Sequence, residues 1–289
     1  MLTERRYALP LQVLEPMELE AGVAALMLLN PTGGVVGGDR LHTEVRLGAG
    51  SHACLTTPSA TRVYRSAGPT AVLTFRAALG PGARLEYVPD HLIPSPGARA
   101  RQSTELVLAP GATALVLDAW SVGRPARGEA WDFAELDFAL RVSDRDGPIL
   151  RERACLGGRR FWDRLGGAEG HAYVATFAAV GAAGGGGAAR GGGTGSDVAA
   201  TAAARSDVAT TGDAKSGAID WMSLAQALAR AVSDRAGTAQ VGVSALGRGG
   251  TLARVLAPSA PALLGVTDTL WAASRGWLWD LPPLALRKL

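Results

Sequence analysis

Two carboxylates fall where a β-strand pattern turns them inward. Asp118 lies in Ala114-Leu115-Val116-Leu117-Asp118-Ala119-Trp120, on the face shared with Val116 and Trp120. Glu152 falls on the face of Leu150, Ala154 and Leu156, opposite Arg151 and Arg153. An inward acid left without a partner is strongly disfavoured. Three arrangements relieve it: Arg124, Arg127 or Arg153 neutralises each acid, the two acids form a catalytic pair, or they line a water-filled interior passage.

The most conspicuous segment is Asn30-Pro31-Thr32-Gly33-Gly34-Val35-Val36-Gly37-Gly38-Asp39-Arg40-Leu41. A phosphate-binding reading fails, because no GK[ST] follows and the next run, His42 to Leu47, reads as a strand. A nucleotide loop needs a helix N-terminus to present its amides. The glycines are therefore expected in tight turns where backbones approach closely. Metal ligands are sparse: the four histidines form neither HxH nor HExxH. His52 and Cys54, two apart on a strand, share a face, but a pair falls short of the four ligands of a structural zinc site. They form at most a weak, transient nickel contact. There is no GxSxG, and neither Cys54 nor Cys155 sits in an activating motif.

The elements that must position these residues are mostly strands. Leu136, Phe138, Leu140 and Val142 alternate with Glu135, Asp137 and Arg141, and similar runs occupy Ala71 to Ala77 and Arg84 to Tyr87. Leu47-Gly48-Ala49-Gly50, Leu79-Gly80-Pro81-Gly82 and Leu108-Ala109-Pro110-Gly111 each join two such runs, with leucines 32 and 29 residues apart; Arg145-Asp146-Gly147-Pro148 is a fourth turn. This repeat fits stacked hairpins or a solenoid, and equally a β-sandwich. Residues 181–217 hold 22 Gly and Ala in 37 positions and no aromatic, which predicts a flexible surface insertion. Beyond it the spacing predicts a helix over Trp221 to Val232, strands around Gly247–Gly250, a second helix over Pro261 to Trp271, and an extended tail with Trp277 and Trp279.

Charge is +3, with 47% hydrophobic and 19% charged residues. The basic residues are scattered, which argues against nucleic acid as a partner. The charged start, the short apolar run Val23 to Leu29 and two unpaired-looking cysteines predict a cytoplasmic protein without a membrane span.

Five segments in order resemble the UreD (UreH) family of urease accessory proteins. They are Asn30–Leu41, with its Pro-x-Gly-Gly-x-x-Gly-Gly-Asp pattern; Thr56–Ser66, with Tyr64 and Arg65; Leu85–Asp90; Gly123-Arg124-Pro125-Ala126-Arg127-Gly128-Glu129; and Arg151-Glu152-Arg153. The motif residues carried over are Gly33, Gly34, Gly37, Gly38, Asp39, Tyr64, Arg65, Gly123, Arg124, Gly128 and Glu129. The chain departs from the family pattern at Met17-Glu18, in the 181–217 insertion, and in lacking an aromatic-ended Pro-Arg-Ile-Trp tail.

The resemblance implies a mainly β, elongated β-helical fold of stacked β-hairpins, with two helices in the C-terminal part of a single domain over 1–289. It implies an accessory protein that is not an enzyme, binds apo-urease and UreF, reaches the GTPase UreG through UreF, and holds no tight cofactor while nickel passes in transit. Asp39, Asp118 and Glu152 are then expected to line or gate that passage. Two rivals remain: a β-solenoid polysaccharide hydrolase with Asp118 and Glu152 as acid and base, and a protein-binding scaffold that works without metal.

Overall fold

A repeat of about thirty residues sets the architecture, because it brings each strand back beside its predecessor. The computed structural model describes residues 2–20, 22–157, 167–184, 218–233, 239–284 and 286. In chain order the strands are β1 (Gln12–Val13), β2 (Met17–Glu20), β3 (Val23–Leu29), β4 (Arg40–Leu47), β5 (His52–Thr56), β6 (Thr61–Val63), β7 (Ala71–Leu79), β8 (Arg84–Tyr87), β9 (Leu92–Pro94), β10 (Arg99–Leu108), β11 (Thr113–Ser121), β12 (Gly123–Arg124), β13 (Glu129–Ala130), β14 (Glu135–Asp144), β15 (Gly147–Leu156), β16 (Tyr173–Gly181), β17 (Gln240–Ala245) and β18 (Gly250–Ala257). Two helices, α1 (Trp221–Ser233) and α2 (Ala260–Trp279), complete the described chain.

Apart from β12 and β13, which pair only with each other, the strands form two facing sheets. One runs β15-β14-β10-β7-β4; the other runs β1-β3-β5-β8-β11-β16-β18-β17, with β2, β6 and β9 joined to it. The first three glycine turns carry the chain from the five-stranded sheet to the larger one. Like strands then stack in parallel, β4 on β7 on β10 and β5 on β8 on β11. Leu47, Leu79 and Leu108 lie in one register row. The turns also stack, through Gly50 N–H to Pro81 O (2.9 Å) and Gly82 N–H to Pro110 O (3.1 Å). The fourth turn behaves differently: it is a true hairpin that keeps β15 beside β14, antiparallel and in the same sheet. Antiparallel β16 on β11 likewise ends the parallel stack on the other side.

All nine residues of β11 are buried, since it has a sheet on one face and helices on the other. Leu115, Leu117 and Ala119 face outward to α1 and α2, alongside Leu224, Leu228, Leu263 and Leu270. The space between the sheets holds two apolar clusters. One gathers Phe75, Leu79, Leu85, Leu106, Leu108 and Val116; the other gathers Val63, Leu92, Trp120, Trp131, Phe138 and Leu156.

Asp220 starts α1 by accepting from the Ser223 amide at 3.0 Å. Ser259 caps α2, with Pro261 in its first turn. The second helix runs past Trp271 to Trp279, so Trp277 and Trp279 are helical and not part of an extended tail. Trp271, Arg275 and Trp279 recur every four residues and are buried along one stripe, which carries the helix through Gly276. Neither described helix is long and apolar enough to cross a membrane. Of the predicted 181–217 insertion, Gly181 ends β16 and Ala182 is buried against the 109–112 turn; from 185 to 217 it lies outside the described residues.

Candidate functional site

Between the two apolar clusters the inward side chains turn polar. Alternation along β11 points Val116, Asp118 and Trp120 into the space between the sheets, as their partition among the inner clusters shows. Register places Thr176 of β16 beside Asp118, and Arg254 of β18 beside Thr176. From the opposite sheet, β10 contributes Gln102 and Thr104, and β15 contributes Glu152. Two cavities flank this belt. One, of about 140 Å³, is lined by Asn30, Gly33, Thr57, Tyr87, Asp90 and Gln102. The other, of about 420 Å³, is lined by Phe138, Glu152, Cys155, Thr176 and Arg254. Asp118 lines both.

Asp118 Oδ1 accepts a hydrogen bond from Gln102 Nε2 at 2.7 Å, and no cationic side chain pairs with it among the described residues. Burial, reinforced by the charge of Glu152 and only partly offset by Gln102, pushes its carboxyl up to about 7. Burial and the nearby Asp118 charge also hold the Tyr87 hydroxyl well above the usual phenol range. Glu152 Oε1 accepts from Thr176 Oγ1 at 3.1 Å and lies 3.2 Å from Arg254 Nη2, while its Oε2 is enclosed without a hydrogen-bond partner among the described residues. The arginines considered from sequence are engaged elsewhere or turned away. Arg153 forks onto Asp137 on the outer sheet face at 2.9 Å, Arg124 pairs with Glu129, and Arg127 is exposed in a 3-10 turn.

The structure brings Asp118 and Glu152 together but sets Asp39 apart. Asp39 lines neither cavity. Its carboxylate accepts from the Val36 amide at 2.9 Å and closes the turn that launches β4. The third acid at the cavity wall is Asp90, from the Leu85–Asp90 block.

The glycine motif packs on the Arg62–Pro69 segment. A Cβ at Gly34 would sit 2.5 Å from Arg62 O, and one at Gly37 would sit 1.9 Å from Ser66 Oγ. Their neighbours Gly33 (φ +76°) and Gly38 (φ +93°) supply the left-handed turns. Tyr64 is half-exposed over Gly33, and the stem of exposed Arg65 lies against Gly97. Gly123 and Gly128 frame the small β12–β13 hairpin that Arg124 and Glu129 close with a two-point ion pair. Gly33 and Gly34 thus form one wall of the smaller cavity.

A model of the UreD urease accessory protein family matches residues 1–288. The chain belongs to that family. It is similar to the urease accessory protein UreD of Pseudomonas putida strain W619, with 42% identity over 62% of this chain and 63% of that protein. It is also similar to UreD of Pseudomonas entomophila strain L48 (40%, 62% and 63%) and of Cupriavidus necator strain H16 (41%, 54% and 54%). These alignments span less than two thirds of the length of the curated relatives.

A second polar cluster in this UreD-family chain lies on the other face of the larger sheet, under α2. His52 and Cys54 share that face, as their spacing predicts, but His52 Nε2 is 2.7 Å from Glu86 Oε1 and packs edge-on to Trp279. Glu86 also accepts from Trp271 Nε1 and Arg275, and Arg275 reaches Glu20 and Pro282 O. Glu86 and Arg275 are wholly buried. Burial acts to raise the Glu86 pKa, but hydrogen bonds from His52 and Arg275 outweigh it and the net shift is downward. This network clamps β2, β5, β8 and α2. No group of three His, Cys, Asp or Glu that could hold a metal ion occurs among the described residues.

Sequence reasoning missed Gln102, Thr176, Arg254, Glu86 and Arg275. Parity along β10 points Gln102 inward with Ala100 and Leu106, and Arg275 follows Trp271 by one helical turn. Arg254 had no signal before its strand found a place in the sheet.

Proposed function

We propose that this chain is a urease maturation chaperone acting as a scaffold and conduit for nickel. In this reading it is a single UreD-like domain working in the cytoplasm. It binds apo-urease and UreF, engages UreG through UreF, and lets nickel pass toward the urease site without retaining it as a cofactor. The observation that carries the conduit is the Asp118 carboxylate shared by two interior cavities and left without a cationic partner among the described residues.

A single carboxylate with amide and hydroxyl neighbours attracts a divalent cation but supplies too few ligands to trap it. Polar walls let the ion keep part of its water shell. The confined position between two sheets suits an ion better than a polysaccharide chain, and membership of an accessory-protein family favours maturation over catalysis by this chain.

The test is Asp118→Asn. The full-length variant is coexpressed with UreF, UreG and apo-urease, complex formation is followed by gel filtration, and nickel per urease site is measured. Intact complexes with nickel-poor urease are expected. Normal nickel content in urease matured by the variant defeats the conduit.

A further inference from the structure

The larger cavity has an exposed arginine, Arg254, in its wall. Strand β15 is the last of the five-stranded sheet, whereas the opposing sheet continues past β16 to β18 and β17. Arg254 of β18 sits in this overhang with its side chain 65% exposed, yet it reaches back to Glu152 Oε1. The same oxygen is held by Thr176, and Glu152 Oε2 is enclosed with no hydrogen-bond partner among the described residues. Asp118, Thr176 and Arg254 occupy one register row, so a polar track runs from the enclosed acid to the surface and terminates at this guanidinium.

We propose that Arg254 is the gate of the passage: a tethered counter-ion that covers Glu152 until a divalent cation displaces it. The proposal rests on the conduit reading above. The guanidinium end of the pair is 65% exposed, against 18% for Glu152, so solvent screens the attraction from that side, and the long side chain regains rotamer freedom when it leaves. Coulomb attraction scales with charge, so a divalent ion beside Glu152 gains twice what a monovalent one does, whereas a monovalent ion gains no charge advantage over the guanidinium. Once Arg254 has left Oε1 the ion takes its place there, beside an enclosed Oε2 that has no hydrogen-bond partner among the described residues. Arg254 does not transfer the ion; it sets the cation concentration at which the passage conducts.

Because a gate opposes entry, its loss has the opposite sign to structural damage. In the full-length chain with its accessory partners and apo-urease, Arg254→Gln should lower the nickel concentration for half-maximal urease activation about fivefold, the factor an ion pair screened by solvent at one end represents. Arg254→Lys, which keeps the charge, should behave as the parent. Arg254→Met supplies the same reading if the Gln variant assembles poorly. An unchanged or raised half-maximal nickel concentration in both neutral variants overturns the gate. Asp118→Asn and Glu152→Gln separate this failure from that of the conduit. If they block maturation while the Arg254 variants match the parent, only the gate is wrong; if they too mature urease normally, the conduit itself fails.

Discussion

Replacing Asp118 by Asn removes a charge from the middle of the molecule with almost no change of shape, and the amide oxygen can still accept from Gln102. In the folded chain the carboxyl is pushed from 3.8 up to about 7, chiefly by burial. The unfolded chain binds its proton more weakly, so between those two values the native state holds more protons. Folding stability contributed by this group is therefore fully present below about pH 4 and lost as the pH rises to about 7. At about 1.4 kcal/mol for each tenfold change in proton affinity, the ceiling is about 4 kcal/mol. An effective dielectric well above that of a dry interior brings the expected effect to about 2 kcal/mol. Urea unfolding of parent and variant across this range checks it. The two should agree in acid, and the Asn variant should become the more stable by about 2 kcal/mol toward pH 8. Parallel stability curves, or an Asn variant that is weaker at pH 8, would show that the protein stabilises the ionised acid and that the burial argument is wrong.

The other predictions concern the frame. Arg275→Met leaves Glu86 buried without its guanidinium and should cost about 3–5 kcal/mol in urea unfolding; a loss below about 1 kcal/mol would mean that His52 and Trp271 suffice. Gly37→Ala drives a methyl group into Ser66 and Pro69, so a loss of about 1–3 kcal/mol is expected, read as a lower thermal midpoint; an unchanged midpoint refutes close approach as the reason for this glycine. Arg76→Ala breaks only an exposed pair with Glu105 on the outer sheet face. Its stability should stay within about 1 kcal/mol of the parent, and a larger drop would show that the pair is held more strongly than its exposure allows.

Local sequence carried much of this architecture. Alternation along Leu136–Val142 and at Asp118 and Glu152 named the inward faces correctly, because a strand has only two faces. The leucines 32 and 29 residues apart proved to be the register of the parallel stack itself. The difference at Arg145–Pro148 was not legible. A glycine turn that crosses between sheets and one that stays within a sheet use similar residues, and the choice depends on whether a rung remains to be covered. The extra turns of α2 beyond Trp271 were not legible locally; they run on through Gly276 with Arg275 and Trp279 buried, Trp279 donating to Thr113 and packing on the His52 ring.

The acids divide the same way. By itself the sequence determined that Asp118 and Glu152 point inward, that the glycine motif makes tight turns, and that the chain resembles the UreD family. Only the tertiary structure decided which acids meet and what faces them. Asp39 caps a turn, Asp90 takes the cavity wall, and Arg254 closes on Glu152 from 102 residues away. Periodicity reports the direction of a side chain relative to its own strand, whereas its neighbours are set by sheet order, which long-range pairing establishes.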